Sequence, residues 1–387
     1  MSEWKEKTLG ELSIRVSSGL TPLKSNENFW ENPSIPWLKT DQLGEKYIFD
    51  TNTKISKEAL AQTSLRIYPE NTISIAMYGE GKTRGNLSII KAPMATNQAC
   101  CNIEIDPKLA DVEYVYYYLK TQYDSLRKLS SGVRKNLNSN DIKNYKIYIP
   151  ESVSVQKSIV RILTLLDNKI SLNNQINQEL ETMAKALYDY WFVQFDFPDQ
   201  NGKPYKSSGG KMVYHPELKR EIPEGWGVDS LWNIANFYNG LAMQKYRPDT
   251  NEDDYLPVIK IREMMNGFSK DSEKARLDIP TEAVVESGDI LFSWSATLEV
   301  IIWGKERGAL NQHIFKVTSD TYPKSFIYFE LKSYLKVFKA IAELRKTTMG
   351  HITQDHLKQA KIVVPPIEII SKIDAQLQHI MSQKQIL

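Results

Sequence analysis

Residues 76–83, Ala76-Met77-Tyr78-Gly79-Glu80-Gly81-Lys82-Thr83, carry glycines, a lysine and a hydroxyl in nearly the order of a phosphate-binding loop. That chemistry needs a helix behind the loop, with its N-terminal amides aimed at the phosphates. Here Ala76 stands where the first glycine belongs, and Asn86-Leu87-Ser88-Ile89-Ile90 reads as a strand. The segment is therefore expected to be a hairpin tip. A glycine-rich tip bearing Lys82 and Arg84 can reach phosphates or a guanine edge in a groove. Two further basic segments, Gly132-Val133-Arg134-Lys135-Asn136 and Arg345-Lys346-Thr347-Thr348-Met349-Gly350-His351, stand just before a closing strand in each half of the chain.

Other chemistry finds no support. The histidines at 215, 313, 351, 356 and 379 are scattered, without a cysteine or aspartate pattern beside them, so no metal site is expected. Cys100 and Cys101 are adjacent, which disfavours a mutual disulfide and points to a reducing, cytoplasmic setting. No carboxylate set at nuclease spacing recurs in both halves. No Gly-x-Ser-x-Gly, base-methylation or dinucleotide-binding pattern appears. Binding without catalysis is the economical reading.

These residues must be positioned by a chain of 387 residues, long enough for two domains with full cores. Composition is ordinary globular, 41% hydrophobic and 25% charged. Lys and Arg total 49 against 47 Asp and Glu, so a net charge of +2 supplies no bulk field for nucleic acid or an acidic membrane. Any DNA contact must come from local clusters. No apolar run is long enough to span a bilayer, and the charged start has no signal-peptide core behind it.

The chain repeats itself. Trp4 stands five residues before Leu9-Gly10-Glu11-Leu12, and Trp226 five before Leu231-Trp232-Asn233-Ile234. Gly19-Leu20 recurs as Gly240-Leu241, and Ile35-Pro36-Trp37-Leu38-Lys39 as Leu256-Pro257-Val258-Ile259-Lys260. Thr96-Asn97-Gln98 answers to Leu310-Asn311-Gln312, and Ile147-Tyr148-Ile149-Pro150 to Ile362-Val363-Val364-Pro365. Five matches in one order imply a tandem duplication. Each copy predicts short strands, such as 72–76 and 289–292, then a helix near 112–128 or 324–346, and a strand closed by proline. The expected class is α+β, with two tandem mixed α/β modules.

A helix follows each copy. In 153–191 an apolar heptad stripe includes Ile159, Leu166, Ile176, Leu180 and Leu187, broken by one polar residue, Asn173; after the second copy Ile370, Ile373, Leu377 and Ile380 keep the same spacing. A helix of roughly 39 residues, about 58 Å, exceeds what one module needs. The two stripes are expected to pair as an antiparallel coiled coil, related by a pseudo-twofold axis. Asn173 in the seam would fix its register.

The most specific stretch is Tyr190-Trp191-Phe192-Val193-Gln194-Phe195, followed by Gly202-Lys203-Pro204-Tyr205-Lys206-Ser207-Ser208-Gly209-Gly210-Lys211-Met212-Val213 and Ile222-Pro223-Glu224-Gly225-Trp226. It resembles the central conserved region of the DNA-specificity subunits of type I restriction-modification systems, and the likeness extends over essentially the whole chain. The resemblance implies two target-recognition domains, 1–152 and 223–364, a central helix 153–195, a linker 196–222 and a distal helix 365–387. It implies a non-catalytic subunit that reads one half of a split double-stranded DNA site with each domain. Its partners would be two methyltransferase subunits, docked on the helical spacer, and restriction/translocase subunits. S-adenosylmethionine, ATP and Mg would reside in those partners, with no cofactor or metal in this chain.

Loop position and side-chain type nominate DNA-contacting candidates: Lys39, Tyr78, Lys82, Thr83, Arg84, Arg134 and Lys135 in the first copy, and Lys260, Arg262, Trp294, Ser295, Thr297, Arg345, Lys346 and His351 in the second. The competing reading is a protein-interaction scaffold. An ATPase built on Gly81-Lys82-Thr83, or a nuclease, is the third.

Overall fold

A computed structural model describes the chain except residues 1–2, 80–82, 130–135, 251–253, 345–350 and 387, and describes residues 384–386 by backbone only. The chain forms two compact units, Met1–Ile170 and Ser171–Leu387, and the division falls inside one helix, Val153–Tyr188.

In the first unit, Thr72–Ala76 and Leu87–Ile90 form an antiparallel hairpin within a five-stranded sheet. Both strands are buried on both faces, which is why they read as continuous apolar runs rather than alternating ones. Ile73, Ile75, Leu87 and Ile89 face a core that holds Val115 and Leu119 of the helix Val112–Thr121. Asp111 caps that helix by accepting from the amides of Glu113 and Tyr114. On the other face Ala76, Ile90 and Cys100 join Leu38 in a smaller core. Burial pushes the thiols of Cys100 and Cys101 up to about 12, so both are inert structural groups.

The second unit repeats the order of four of these five strands; among the described residues only Tyr47–Ile48 at the edge has no counterpart in its sheet. Its four-stranded sheet runs Asn236–Asn239, Ile314–Thr318, Ile290–Ser293, Glu299–Ile302, matching Ser13–Ser18, Cys100–Ile105, Thr72–Ala76, Leu87–Ile90. Each unit also has one parallel pair in its second sheet, Trp37 opposite Ala95 and Val258 opposite Ala309. Trp4–Thr8 pairs with Lys146–Pro150, and Gly227–Ser230 with Lys361–Val364.

The repeated dipeptides prove to be the two sides of one backbone crossing. The Gly19 amide donates to the Cys100 carbonyl and the Leu20 amide to the Thr96 carbonyl; Gly240 and Leu241 do the same toward Ile314 and Leu310. A Cβ on Gly19 would sit 2.2 Å from the Thr96 carbonyl oxygen, and one on Gly240 would sit 2.3 Å from that of Asn311. The obstacle is backbone and cannot swing away. Gly240→Ala should therefore destabilise the second unit by about 3 kcal/mol and leave the first unit intact, as hydrogen exchange would resolve.

The helix Val153–Tyr188 has 36 residues, about 54 Å at 1.5 Å each, and continues as a π-turn over Asp189–Val193. In the first unit a polar clamp holds it. The Lys46 ammonium donates to Glu113, Tyr117 and Thr164, at 3.1, 2.8 and 3.3 Å, and the Tyr117 hydroxyl donates to Asp167 at 2.5 Å. In the second unit the helix runs antiparallel to Lys324–Leu344: Tyr188 lies beside Phe326 and Phe329, while Glu181, two turns earlier, meets Tyr328 and Lys332. The C-terminal helix Ile367–Ile386 follows Lys324–Leu344 in parallel, with Ser325 on Asp374 and Ile380 near Lys332, so it too runs antiparallel to the long helix.

Candidate nucleic-acid interface

The loops between strand ends bear the candidate DNA-contacting side chains. In the first unit the tip between Thr72–Ala76 and Leu87–Ile90 is shaped by Gly79 and Gly85, both at positive φ, which a residue with a Cβ adopts only with strain. A Cβ on Gly79 would sit 2.8 Å from that of Thr83, so these two flanking residues lie close together. Arg127 braces its base, with Nη1 2.6 Å from the Tyr123 hydroxyl and 3.5 Å from the Arg84 carbonyl. Tyr78, Thr83 and Arg84 thus share one tip, and Tyr78 is exposed. A strand follows the tip where nucleotide binding would need a helix. Lys82, Arg134, Lys135, Arg345 and Lys346 lie outside the described residues.

Three candidates sit elsewhere. Lys39 and Lys260 occupy matching places, each at the end of a strand and the start of a short helix. Lys39 lies 3.8 Å from the Asp41 carboxylate, and Lys260 bonds Glu273 at 2.5 Å. Arg262 donates twice to the buried Glu263, at 2.8 and 2.6 Å, and once to the Asp271 carbonyl. Lys260 and Arg262 are therefore paired with their own unit's carboxylates, while both side chains stay partly exposed.

The second unit's hairpin tip is aromatic. Trp294 follows the strand Ile290–Ser293, and its carbonyl accepts from the Ile352 amide at 2.9 Å. In the first unit the Met77 carbonyl accepts from the Leu137 amide, so Trp294 stands where the first unit has a buried methionine. The Trp294 indole lies 5.7 Å from the His313 ring and 5.6 Å from that of His351, and its Nε1–H donates to Asn239 Oδ1 at 2.9 Å. Trp294 and His351, both nominated by sequence, are thus brought together. Ser295 is buried beneath the tip; Thr297 is exposed, and its carbonyl accepts from the Ser293 hydroxyl. Asn239 and His313 were missed. A signal existed, because they flank the repeated Gly240-Leu241 and Asn311-Gln312 where the first copy has Ser18 and Ala99.

The spacer candidates divide into two groups. Ile370, Ile373 and Leu377 are 0–1% exposed and belong to the second unit's core with Phe326, Phe338 and Leu335, so they fasten the C-terminal helix to its own unit rather than presenting a free seam. Ile380 packs at the rim of that core, and so does Leu187. Ile159 packs on the first unit's core, and Asn173, Ile176 and Leu180 are half-buried. Leu166 is 55% exposed, as are its neighbours Ile162, Leu165, Ile170 and Leu172 at 55–63%. Five large aliphatic side chains along this helix are thus left exposed. Among the described residues no helix is long and apolar enough to cross a membrane, and no cluster of three or more potential metal ligands occurs.

Comparisons with known proteins agree with this architecture. The family model described as "Type I restriction modification DNA specificity domain" matches residues 1–182 and again 223–387, one copy on each repeat. The specificity subunit of the type I restriction enzyme MjaIX of Methanocaldococcus jannaschii is 28% identical over all of this chain and 89% of its own length. The EcoR124I/EcoR124II specificity subunit of Escherichia coli is 30% identical over 51% of this chain and 48% of its own length. The crystal structure of a type I restriction-modification S subunit from Mycoplasma genitalium shares the fold, with a TM-score of 0.54 at 15% identity over 99% of this chain and 92% of that one. Two matched domains, on two copies of one wiring diagram, place the chain in the family of type I restriction-modification DNA-specificity subunits.

Proposed function

We propose that each unit reads one half of a split DNA sequence, and that the chain works by recognition alone within a restriction-modification complex. The observation that carries this reading is the duplication itself. Both units hold a hairpin tip in the same place with the same glycine crossing, yet they arm the tips differently, with Tyr78, Thr83 and Arg84 in one and Trp294, Thr297 and His351 in the other. One frame with two sets of side chains suits two different half-sites. Half-sites about one helical turn apart, roughly 34 Å, suit two modules joined by a long helix.

The exposed row Ile162, Leu165, Leu166, Ile170 and Leu172 is the surface on which two methyltransferase subunits dock in this reading. S-adenosylmethionine, ATP and Mg, with the chemistry of methylation and cleavage, belong to those and to the restriction/translocase subunits. The whole complex works in the cytoplasm.

Single-molecule methylome sequencing of cells carrying this chain, with and without its methyltransferase, tests the proposal. The expected result is a two-part adenine-methylated motif that requires both proteins and changes in one half when one unit is exchanged. Absence of any new methylation, with an intact complex verified by co-purification, would overturn it in favour of a protein scaffold.

A further inference from the structure

The Trp294 cluster carries more than a general affinity for DNA. Asn239 ends the strand Asn236–Asn239, pairs with Phe315 across the sheet, and precedes Gly240, whose backbone is held in the crossing. Its Cα therefore has little freedom, while its side chain is exposed. The indole N–H of Trp294 is a donor only, so the Asn239 amide must turn its oxygen toward it. The two N–H bonds of Nδ2 then point away from that contact. An asparagine free to rotate offers one donor and one acceptor, the pair that matches adenine N6 and N7; one whose oxygen already accepts from Trp294 keeps a single lone pair there and turns its two donors outward.

We propose that Asn239 is a base-reading residue of the second unit, fixed by Trp294 so that its Nδ2 donates to a hydrogen-bond acceptor on a base edge, such as guanine N7/O6 or thymine O4. The inference rests on the reading of the chain as a DNA-specificity subunit. Trp294 is the positioning residue. His313 and His351 flank its ring and hold the indole in place. The first unit has Ser18 and Met77 in the corresponding places, so this device belongs to one half-site only.

The experiment uses the full chain expressed with its methyltransferase subunits, read by single-molecule methylome sequencing, with the melting temperature of each purified complex as the folding control. In Asn239→Asp one carboxylate oxygen still accepts from Trp294, and the outward group becomes an acceptor. Methylation of the parental motif should fall by about 10- to 100-fold, with any residual activity moved toward cytosine at one position of one half-site. Trp294→Phe removes the N–H and lets the amide rotate, so that same position should become degenerate. The other half-site should be unchanged in both variants.

A parental motif kept by Asn239→Asp, or one kept without relaxation by Trp294→Phe, would overturn the inference while leaving the specificity-subunit reading intact. A wild-type complex that yields no split motif would overturn both. Loss of both half-sites at an unchanged melting temperature would also count against it, because the effect would then not be local.

Discussion

The isolated chain should bind its split site at least about a thousandfold more weakly than the same chain assembled with its methyltransferase subunits. Affinity for duplex DNA comes largely from cations that release condensed counterions, and it scales steeply with the number of phosphates neutralised. This chain has a net charge of only +2. Cations near its loops are in part already spent: Lys260 on Glu273, Arg262 on Glu263, and Lys46 on Glu113. What remains are the tip side chains, which serve discrimination better than raw attraction. Fluorescence anisotropy in roughly 150 mM salt should show micromolar or weaker binding for the chain alone, with a log-affinity against log-salt slope shallower than about −3. The complex should bind at nanomolar strength or tighter with a steep slope. Nanomolar binding by the chain alone would show that the loops carry far more phosphate contact than the charge balance allows.

The second large effect lies in the core of the second unit and is a matter of protons. Glu330 is buried on the helix Lys324–Leu344 and accepts from the Tyr188 hydroxyl, itself fully buried among Phe192, Phe326 and Phe329. Burial raises the Glu330 carboxyl from 4.5 to about 7, against the opposing pull of the Tyr188 hydrogen bond and the Arg220 charge. A raised folded value means the folded chain holds a proton that the unfolded chain releases. The stability this confers is fully present below about pH 4.5 and is lost as pH climbs through 7. The second unit should therefore lose up to about 3 kcal/mol between pH 5 and pH 8. Glu330→Gln keeps an acceptor for Tyr188 and cannot ionise, so it should flatten the pH dependence and stabilise the unit at pH 8. Tyr188→Ala, which empties a fully buried ring site, should cost about 4 kcal/mol at pH 5 and more at pH 8, because it also removes the hydrogen bond that favours the ionised Glu330. Urea unfolding of the three proteins at pH 5, 6, 7 and 8 checks both statements. A profile for Glu330→Gln parallel to the wild type would place the titration elsewhere.

The sequence was legible wherever a feature rests on backbone geometry or on local periodicity. Gly19-Leu20 and Gly240-Leu241 stood out because no side chain fits at the crossing, and Asn97 and Asn311 because their amides complete it on the Leu38 and Ile259 carbonyls. The long helix and its apolar stripe could be read for the same reason. Contacts that depend on which distant strands become neighbours were not legible. Asn239, Trp294, His313 and His351 come from four separate places in the chain, and nothing in their spacing announces a cluster. The surroundings of the cations were hidden in the same way. Lys260 and Arg262 look like free probes in sequence, and only the fold brings Glu273 beside one and Ser272 beside the carboxylate that holds the other. The C-terminal stripe was visible, and what its spacing did not show is the helix Lys324–Leu344 beside it: Ile370, Ile373 and Leu377 join the second unit's core with residues of that helix and with Ala184 and Tyr188 of the long helix.

The crossing at Gly19 and Gly240 is made of amides and carbonyls, and that has a consequence for the history of the molecule. A joint of this kind is blind to the identity of almost every residue around it. It asks for one position without a side chain and for nothing else that selection could hold fixed. Two halves descended from one ancestor can therefore drift until their surfaces share no chemistry, while the scaffold beneath them stays superimposable. Invention is confined to the tips, where each change alters what is recognised without reopening the question of how the chain folds.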